Sequence, residues 1–339
     1  MKAISCLSPL TGQATDQLFE IETPRPVLNA RDVLVKISSI SVNPVDTKVR
    51  NGAIPTHSRG ILGWDAVGEI VEVGSAVGKF SLGDRVWYAG DLTREGSNAE
   101  YQAVDERIIS LAPKSLSDDE AAALPLTGLT AWEMLFDRFG ITQQSSGAIL
   151  IIGGAGGVGS IAIQLLKAKT AMTVIATASR PETQNWVKSL GADHVINHHL
   201  PLAEQLTQLG LAQPDYVFST NATESYLQQI ADLIAPQGKF GLIDDPESLD
   251  ILPLKRKSIS THWELMFTRA MFETEDMAQQ GEILRQLATL VEEGKVQTTL
   301  DTVLGHISAE NLTQSHQLIE SGRAKGKIVL SGFMDRRKR

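Results

Sequence analysis

One segment of the sequence has the glycine spacing needed to bind a pyrophosphate. The run Gly154-Ala-Gly-Gly-Val-Gly159 fits G-x-G-x-x-G, follows the apolar run Ile149 to Ile152, and opens an amphipathic segment that ends at Lys169. In such a loop the first glycine permits a tight turn, the second admits the pyrophosphate and the third lets helix pack on strand, while amides at the helix start hold the anion. We therefore predict that a dinucleotide binds at Gly154, Gly156, Gly157, Val158 and Gly159.

The residues after the second strand of this region indicate which dinucleotide binds. Proteins that read NAD place an Asp or Glu about 20 residues beyond the loop, where it accepts the ribose hydroxyls. Counting from Gly159 reaches Ala178, followed by Ser179 and Arg180. No carboxylate would repel a 2′-phosphate, and a hydroxyl and a guanidinium could bind one. We predict NADP(H) bound by Ser179 and Arg180; the alternative is that Arg180 only caps a solvated turn.

The elements around this loop indicate two kinds of structure. Apolar strands alternate with amphipathic helices from Ala148 to Ile243, which predicts a parallel sheet covered by helices. Up to about residue 112, short strands separated by glycine and proline predict a β-rich unit. The capping-box spacing of Ser117-Asp-Asp-Glu120 predicts a helix that runs to about Phe136 and bends at Pro125.

Composition excludes several classes of function. The 339 residues suffice for two domains, and a net charge of -9 argues against a nucleic-acid surface. No apolar run approaches the roughly 20 residues that span a bilayer, and no secretory segment is evident, so we expect a cytoplasmic protein without a membrane partner. Cys6 is the only cysteine, which excludes an intrachain disulfide and any zinc site with two thiolates.

Several further motifs, spread over nearly the whole chain, point to one family. They are Ser41-Val-Asn-Pro-Val-Asp46, Gly68-Glu-Ile-Val-Glu-Val-Gly74 with Gly83-Asp-Arg-Val86, Leu126-Thr-Gly-Leu-Thr-Ala-Trp132 and Gly191-Ala-Asp193. Together they resemble the medium-chain dehydrogenase/reductase superfamily, and most closely its quinone oxidoreductase-like branch and the group called zinc-type alcohol dehydrogenase-like proteins.

The resemblance implies an α/β architecture in which one domain is inserted into another. A GroES-like β-barrel catalytic domain would comprise residues 1–127 and 267–339, and a Rossmann domain with a doubly wound parallel sheet would comprise residues 128–266. The active site would lie in the cleft between them, and the protein would be a homodimer formed through the edge strand of the cofactor domain.

The metal ligands of zinc-using relatives are missing. Their first ligand, a Cys, aligns with Asn43, their His aligns with Trp64, and a further Cys falls at about Leu126; the four-cysteine lobe has no counterpart. Asn, Trp and Leu cannot form a tetrahedral zinc site, so we predict no zinc.

Candidate catalytic residues follow from the same alignment. Asn43 occupies the vacated ligand position and is our first choice for a polar group aimed at substrate or nicotinamide; the alternative is a turn-forming Asn before a proline. Asp46 and Lys48 follow on the same segment, where Lys48 could stabilise an oxyanion or simply be exposed. Trp64 would form an apolar wall.

The resemblance also places residues beside the cofactor. Thr130 matches a position next to the nicotinamide ribose. His198 could add to 2′-phosphate binding, or lie in a polar turn. His262 or Trp263 could face substrate, with plain strand packing as the alternative. Lys327, at the start of the last strand, could approach the pyrophosphate.

The missing metal favours one kind of chemistry. Oxidation of a simple alcohol would lose the alkoxide stabilisation that a Lewis acid supplies, whereas hydride addition to a conjugated acceptor spreads charge onto an oxygen that a few donors can stabilise. We predict an NADPH-dependent reductase of small-molecule electrophiles, namely quinones or α,β-unsaturated carbonyls. A non-catalytic NADPH-binding sensor or crystallin-like protein is the alternative, and alcohol dehydrogenation with zinc is disfavoured.

Overall fold

The computed structural model describes residues 1–8, 10, 14–54 and 60–334. The chain divides into two compact units, unit 1 with Met1–Leu129 and Phe267–Arg339 and unit 2 with Thr130–Met266. The strands are β1 (Lys2–Leu7), β2 (Ala14–Glu22), β3 (Asp32–Ser41), β4 (Ala66–Val73), β5 (Arg85–Tyr88), β6 (Tyr101–Asp105), β7 (Ser110–Leu111), β8 (Ala148–Ile152), β9 (Thr173–Thr177), β10 (His194–Ile196), β11 (Tyr216–Ser219), β12 (Lys239–Leu242), β13 (Ser260–Trp263), β14 (Leu300–His306) and β15 (Lys327–Ser331). The α-helices are α1 (Pro44–Arg50), α2 (Asp118–Ala122), α3 (Pro125–Trp132), α4 (Gly157–Lys169), α5 (Pro181–Ser189), α6 (Leu202–Gln208), α7 (Thr223–Leu233), α8 (Thr268–Met271), α9 (Gln279–Glu292) and α10 (Ala309–Glu320).

Unit 1 is built on a mostly antiparallel sheet of the GroES-like kind, in which only β14 and β15 are paired in parallel. Its strand order is β14-β15-β3-β4-β5-β7, with β6 also paired to β3. The pairing of β15 with β3 is antiparallel and sets Val329 opposite Ser41, and the amide of Val42 donates to the carbonyl of Ile328 at 3.0 Å. Because the two strands run in opposite directions, the first residue of β15, Lys327, lies beside the end of β3 and the start of α1. This register builds the polar cluster described below.

Unit 2 confirms the predicted doubly wound parallel sheet. Its six strands are all parallel, in the order β10-β9-β8-β11-β12-β13. Helices on both faces bury the strands, so Leu150, Ile175, Val217 and Phe240 form one continuous core. The strand order reverses between β8 and β11, and ligands of such sheets bind at the carboxyl ends of the strands beside this point.

The helix that begins after Ser117 differs from the prediction. The capping box is confirmed, because the Ser117 amide donates to Glu120 Oε2 at 2.9 Å and the Glu120 amide donates to Ser117 Oγ at 3.3 Å. The helix, however, ends at Ala122 instead of bending, and a second helix begins at Pro125. Proline has no amide to donate and disfavours helical geometry in the residue before it, so it starts a new helix here.

The segment after α3 is a π-helix, Glu133–Arg138. Such wide turns are rare and occur often at functional sites. None of the helices in the described ranges is long and apolar enough to cross a membrane.

Candidate functional site

The glycine loop has the close contacts that its motif requires. A Cβ added to Gly159 would lie 2.4 Å from the carbonyl oxygen of Gly153, and one added to Gly154 would lie 2.8 Å from Cβ of Ala176. At Gly156, by contrast, only one atom would lie within 4 Å, at 3.5 Å. The helix α4 therefore packs tightly on β8 and β9 while the middle of the loop stays open, and the first amides of α4 are available to an anion.

Ser179 and Arg180 lie just beyond the carboxyl end of β9, the strand next to β8, and both are half-buried. The guanidinium of Arg180 pairs with Glu182, with Nε 2.8 Å from Oε1, and the two side chains are 40% and 58% exposed. Exposed pairs of this kind contribute at most about 1 kcal/mol. Exchange of this ion pair for a phosphate would therefore cost little.

His198 lies close enough to Arg180 to interact with it electrostatically. Its ring contacts that of His199 with centroids 4.5 Å apart. Burial, then repulsion from His199 and Arg180, lowers the pKa of His198. A bound phosphate would oppose that repulsion, so the structure brings together the basic groups that the sequence assigned to the 2′-phosphate.

Asn43 is buried at the N-terminus of α1, and its side chain is engaged on both sides. Its Nδ2 donates to Asp65 Oδ2 at 2.8 Å and to the carbonyl of Trp64 at 3.2 Å. Its Oδ1 accepts a short hydrogen bond from Nζ of Lys327. The carboxamide is thus fixed within unit 1, and its role toward substrate stays a prediction.

Asp65 is the acceptor at the centre of this cluster. Its Oδ1 accepts the amide of Leu126 at 2.8 Å, and its Oδ2 accepts the hydroxyl of Ser41 at 2.8 Å besides the groups of Asn43 and Lys327. The side chain is fully buried. Burial raises the pKa of Asp65, while the Lys327 charge and the three other donors favour its carboxylate. Four donors converge on this side chain, and they stabilise its ionised form.

Lys327 supplies the positive charge of the cluster. Its Nζ lies 2.9 Å from the carbonyl oxygen of Val42 and 3.1 Å from Asp65 Oδ2, besides the contact with Asn43. Burial lowers its pKa and the charge of Asp65 opposes that shift. All three protons of the ammonium have oxygen partners inside unit 1. The predicted approach of Lys327 to a pyrophosphate is untested. Its three partners indicate instead that the ammonium acts within unit 1.

Asp46 is the second buried carboxyl here. Its Oδ2 accepts the amide of Asn43 at 2.7 Å, which closes the first turn of α1. Burial, with a smaller contribution from Asp65, raises the pKa of Asp46 from 3.8 to about 7, although the Asn43 amide and Lys327 oppose the shift. Asp46 therefore changes charge near neutral pH, unlike an ordinary carboxyl. Lys48 follows on the same helix and is half-buried.

The residues at the former metal positions do not fit zinc. Trp64 is buried, donates from Nε1 to the carbonyl of Asp91 at 3.3 Å, and packs edge-on against Phe267. The side chain of Leu126 is a hydrocarbon with no lone pair for a metal, and its amide donates to Asp65. The carboxylate of Asp65 already binds the Lys327 ammonium. In the part of the chain that the structure describes, no group of three His, Cys, Asp or Glu side chains could hold a metal ion, and tetrahedral zinc needs such a set.

His262 and Trp263 lie on the edge strand β13. Trp263 is 54% exposed, whereas the ring of His262 packs edge-on against Phe139 with centroids 5.6 Å apart. Burial, together with the charges of Lys239 and Arg138, lowers the pKa of His262. Among the described residues Nε2 of His262 has no hydrogen-bond partner. Thr130 is buried at the start of unit 2.

Sequence reasoning missed two features of these sites. It named Asn43, Asp46 and Lys327 but not Asp65. The signal that could have found Asp65 is its place directly after Trp64, the residue that aligns with the His ligand of zinc-using relatives. It also missed the π-helix, where Arg138 Nε donates to the buried Glu264 at 2.7 Å. No local pattern indicates that contact, because 126 residues separate the partners.

With this geometry in view, comparisons with known proteins identify the family. A model of the alcohol dehydrogenase GroES-like domain matches residues 29–114, and a model of zinc-binding dehydrogenases matches residues 190–330. A zinc-type alcohol dehydrogenase-like protein of Staphylococcus aureus (strain MSSA476) is 43% identical over 336 residues, covering 98% of this chain and all of the relative. The 2-methylene-furan-3-one reductase of Solanum lycopersicum is 32% identical over 316 residues, covering 90% of this chain and 73% of the relative.

Among solved structures, one from Rhizobium etli CFN 42, provisionally described as a zinc-dependent alcohol dehydrogenase, is 52% identical. It superposes with a TM-score of 0.93 and covers 99% of both chains. The fold and these matches define an oxidoreductase with a GroES-like and a Rossmann-like part. The chain belongs to the medium-chain dehydrogenase/reductase superfamily, in its quinone oxidoreductase-like branch.

Proposed function

We propose that this oxidoreductase is an NADPH-dependent, zinc-independent reductase of quinones or α,β-unsaturated carbonyls. The observation that supports the proposal is the Asn43–Asp65–Lys327 cluster, which has no donor set for zinc. The family resemblance aligns Asn43 of this cluster with a metal ligand of zinc-using relatives. Without a Lewis acid to stabilise an alkoxide, addition of hydride to a conjugated acceptor is the less demanding reaction.

The chemistry requires a hydride and a proton. NADPH, when bound, supplies the hydride from its nicotinamide C4. The acceptor carbon β to the carbonyl gains the hydride, the electron pair of the double bond moves to the carbonyl oxygen, and solvent protonates the resulting enolate. In a quinone the same electron flow leads to a hydroquinone.

The residues of unit 2 would bind and orient the cofactor. The first amides of α4 and the open loop at Gly156 would hold the pyrophosphate. Ser179, Arg180 and His198 would hold the 2′-phosphate, and Ala178 stands at the position where NAD-binding proteins have an Asp or Glu. Thr130 would lie beside the nicotinamide ribose.

For the substrate side, three groups are candidates besides Asn43. Lys48 would stabilise the developing oxyanion, because its side chain is only half-buried, whereas the ammonium of Lys327 is enclosed. His262 and Trp263 would contact the acceptor or the carboxamide. The tomato relative supports this substrate class, since 2-methylene-furan-3-one is itself a ketone conjugated to an alkene. The family resemblance further supports a homodimer, which light scattering would test.

The test follows oxidation of NADPH at 340 nm by chelator-treated protein, with quinones, short enones and simple aldehydes as acceptors and NADH in parallel. We expect turnover of conjugated acceptors with NADPH preferred. Tight binding of NADPH without turnover on any acceptor would instead support a sensing protein, and activity restored only by zinc would refute the metal-free reaction.

The cofactor assignment is tested with Arg180→Ala against Arg256→Ala, since Arg256 is an exposed arginine of the same unit. Loss of a charge-assisted contact costs about 1.5–3 kcal/mol, so Arg180→Ala should weaken NADPH binding by about 10- to 100-fold. Binding of NADH should hardly change, and Arg256→Ala should affect neither. An unchanged ratio of NADPH to NADH affinity in Arg180→Ala would contradict the assignment.

A further inference from the structure

The ammonium of Lys327 has the surroundings of a bound cation. It is 3% exposed, and three oxygens surround it: a carbonyl, an amide oxygen and a carboxylate oxygen, from Val42, Asn43 and Asp65. These are the donor types that hard metal cations select in proteins. The two charges neutralise each other inside a buried region, where an isolated charge would be expensive.

The position of this cation is set by strand pairing. Lys327 opens β15, whose antiparallel register with β3 delivers the side chain to Val42 and Asn43. Asp65 is held independently by the amide of Leu126 and the hydroxyl of Ser41. These two hydrogen bonds hold the Asp65 carboxylate in place independently of Lys327. Because the carboxylate is buried, it requires a positively charged partner.

We propose that Lys327 is a covalently attached substitute for a metal ion: its ammonium fills the cation position of unit 1, neutralises Asp65 and fixes the carboxamide of Asn43. The names of several relatives mention zinc, whereas this inference assigns the cation position to an ammonium. It shares the absence of zinc with the proposed function, but it concerns a charge inside unit 1, and its stability test gives the same result whether or not the protein turns over a substrate.

The decisive experiment is chemical rescue of Lys327→Ala. The substitution removes three methylenes and the ammonium, which n-propylammonium replaces atom for atom, whereas 1-propanol replaces the volume without the charge. Breaking a buried ion pair from one side is strongly destabilising, and we expect the thermal midpoint to fall by about 5–10 °C. Addition of n-propylammonium at about 0.1 M should recover at least half of the loss.

Controls separate charge from volume. The exposed Lys295 of unit 1, mutated to Ala, should change neither the midpoint nor its response to the amine. Equal rescue by 1-propanol, or a Lys327→Met variant as stable as wild type, would overturn the proposal, because only the side-chain volume would then matter.

A double variant keeps the test decisive if Lys327→Ala does not fold. Removing both charges in Asp65→Asn/Lys327→Met should cost less stability than Lys327→Met alone. Wild-type protein equilibrated with zinc and desalted should carry less than about 0.1 metal ion per chain. Additive losses in the double variant, or stoichiometric zinc in the wild-type chain, would each refute the assignment.

Discussion

Replacement of Asp46 by Asn should make the protein more stable above neutral pH. The carboxyl is 1% exposed, and burial, aided by the charge of Asp65, raises its pKa from 3.8 to about 7. Because the folded state binds this proton more tightly than the unfolded state, the stabilising contribution is complete below pH 3.8 and is lost as the pH rises through about 7. Asn cannot ionise, and its side-chain oxygen can still accept the amide of Asn43.

The magnitude follows from the two pKa values. Each pH unit between them corresponds to about 1.4 kcal/mol, so the whole effect has a ceiling of about 4 kcal/mol. Part of the loss has already occurred at pH 5, where the unfolded carboxyl is ionised. Between about pH 5 and pH 8 the wild-type free energy of unfolding should therefore fall by about 3 kcal/mol relative to that of Asp46→Asn.

Urea unfolding at several pH values measures this difference. The buried Trp64 and Trp87 report on unit 1 through their fluorescence. Comparing the variant with wild type cancels the titration of all other groups, and Glu204→Gln, at an exposed position of unit 2, serves as the control for loss of a carboxyl on the surface. If wild type and Asp46→Asn lose stability in parallel as the pH rises, Asp46 is ionised throughout and the reasoning from burial is refuted.

Three further predictions concern other parts of the fold. Gly159→Ala would place Cβ 2.4 Å from a backbone oxygen, so NADPH affinity measured by fluorescence titration should fall at least about 10-fold, while Gly78→Ala, with no atom within 4 Å, should leave it unchanged. Arg94→Ala would leave the buried Asp32 without its bidentate partner at 2.8 Å, and urea unfolding should show a loss of about 2–4 kcal/mol; a loss below about 0.5 kcal/mol would show that the pair is immaterial. Ser117→Ala removes the helix cap and should cost about 1 kcal/mol, whereas an unchanged thermal midpoint would contradict that role.

The main features of unit 2 could be predicted from the sequence because the patterns that indicate them are local. The G-x-G-x-x-G run, the strand before it and the helix after it are contiguous, and Gly154 and Gly159 are required by contacts within a few residues or with the next strand. The alternation of apolar strands and amphipathic helices follows from burial on both faces of a parallel sheet. Local sequence was less reliable at Pro125, where a bend was predicted and the helix instead ends and restarts.

In unit 1, the residue types alone did not indicate which side chains meet. The sequence established that Asn43, Trp64 and Leu126 lack zinc-ligand chemistry, because that is a property of the side chains. It did not indicate that Lys327 would meet Asn43, since 284 residues separate them. Only the antiparallel register of β15 and β3 decides that contact.

The sequence by itself thus determined the family, the dinucleotide loop and the absence of the usual metal ligands, since all three depend on residue identity at short spacing. The tertiary structure decided which charges meet, which carboxyls are buried and what neutralises them. The physical reason is that desolvation and ion pairing depend on distances between atoms, and strand register sets these distances between residues that are remote in the chain.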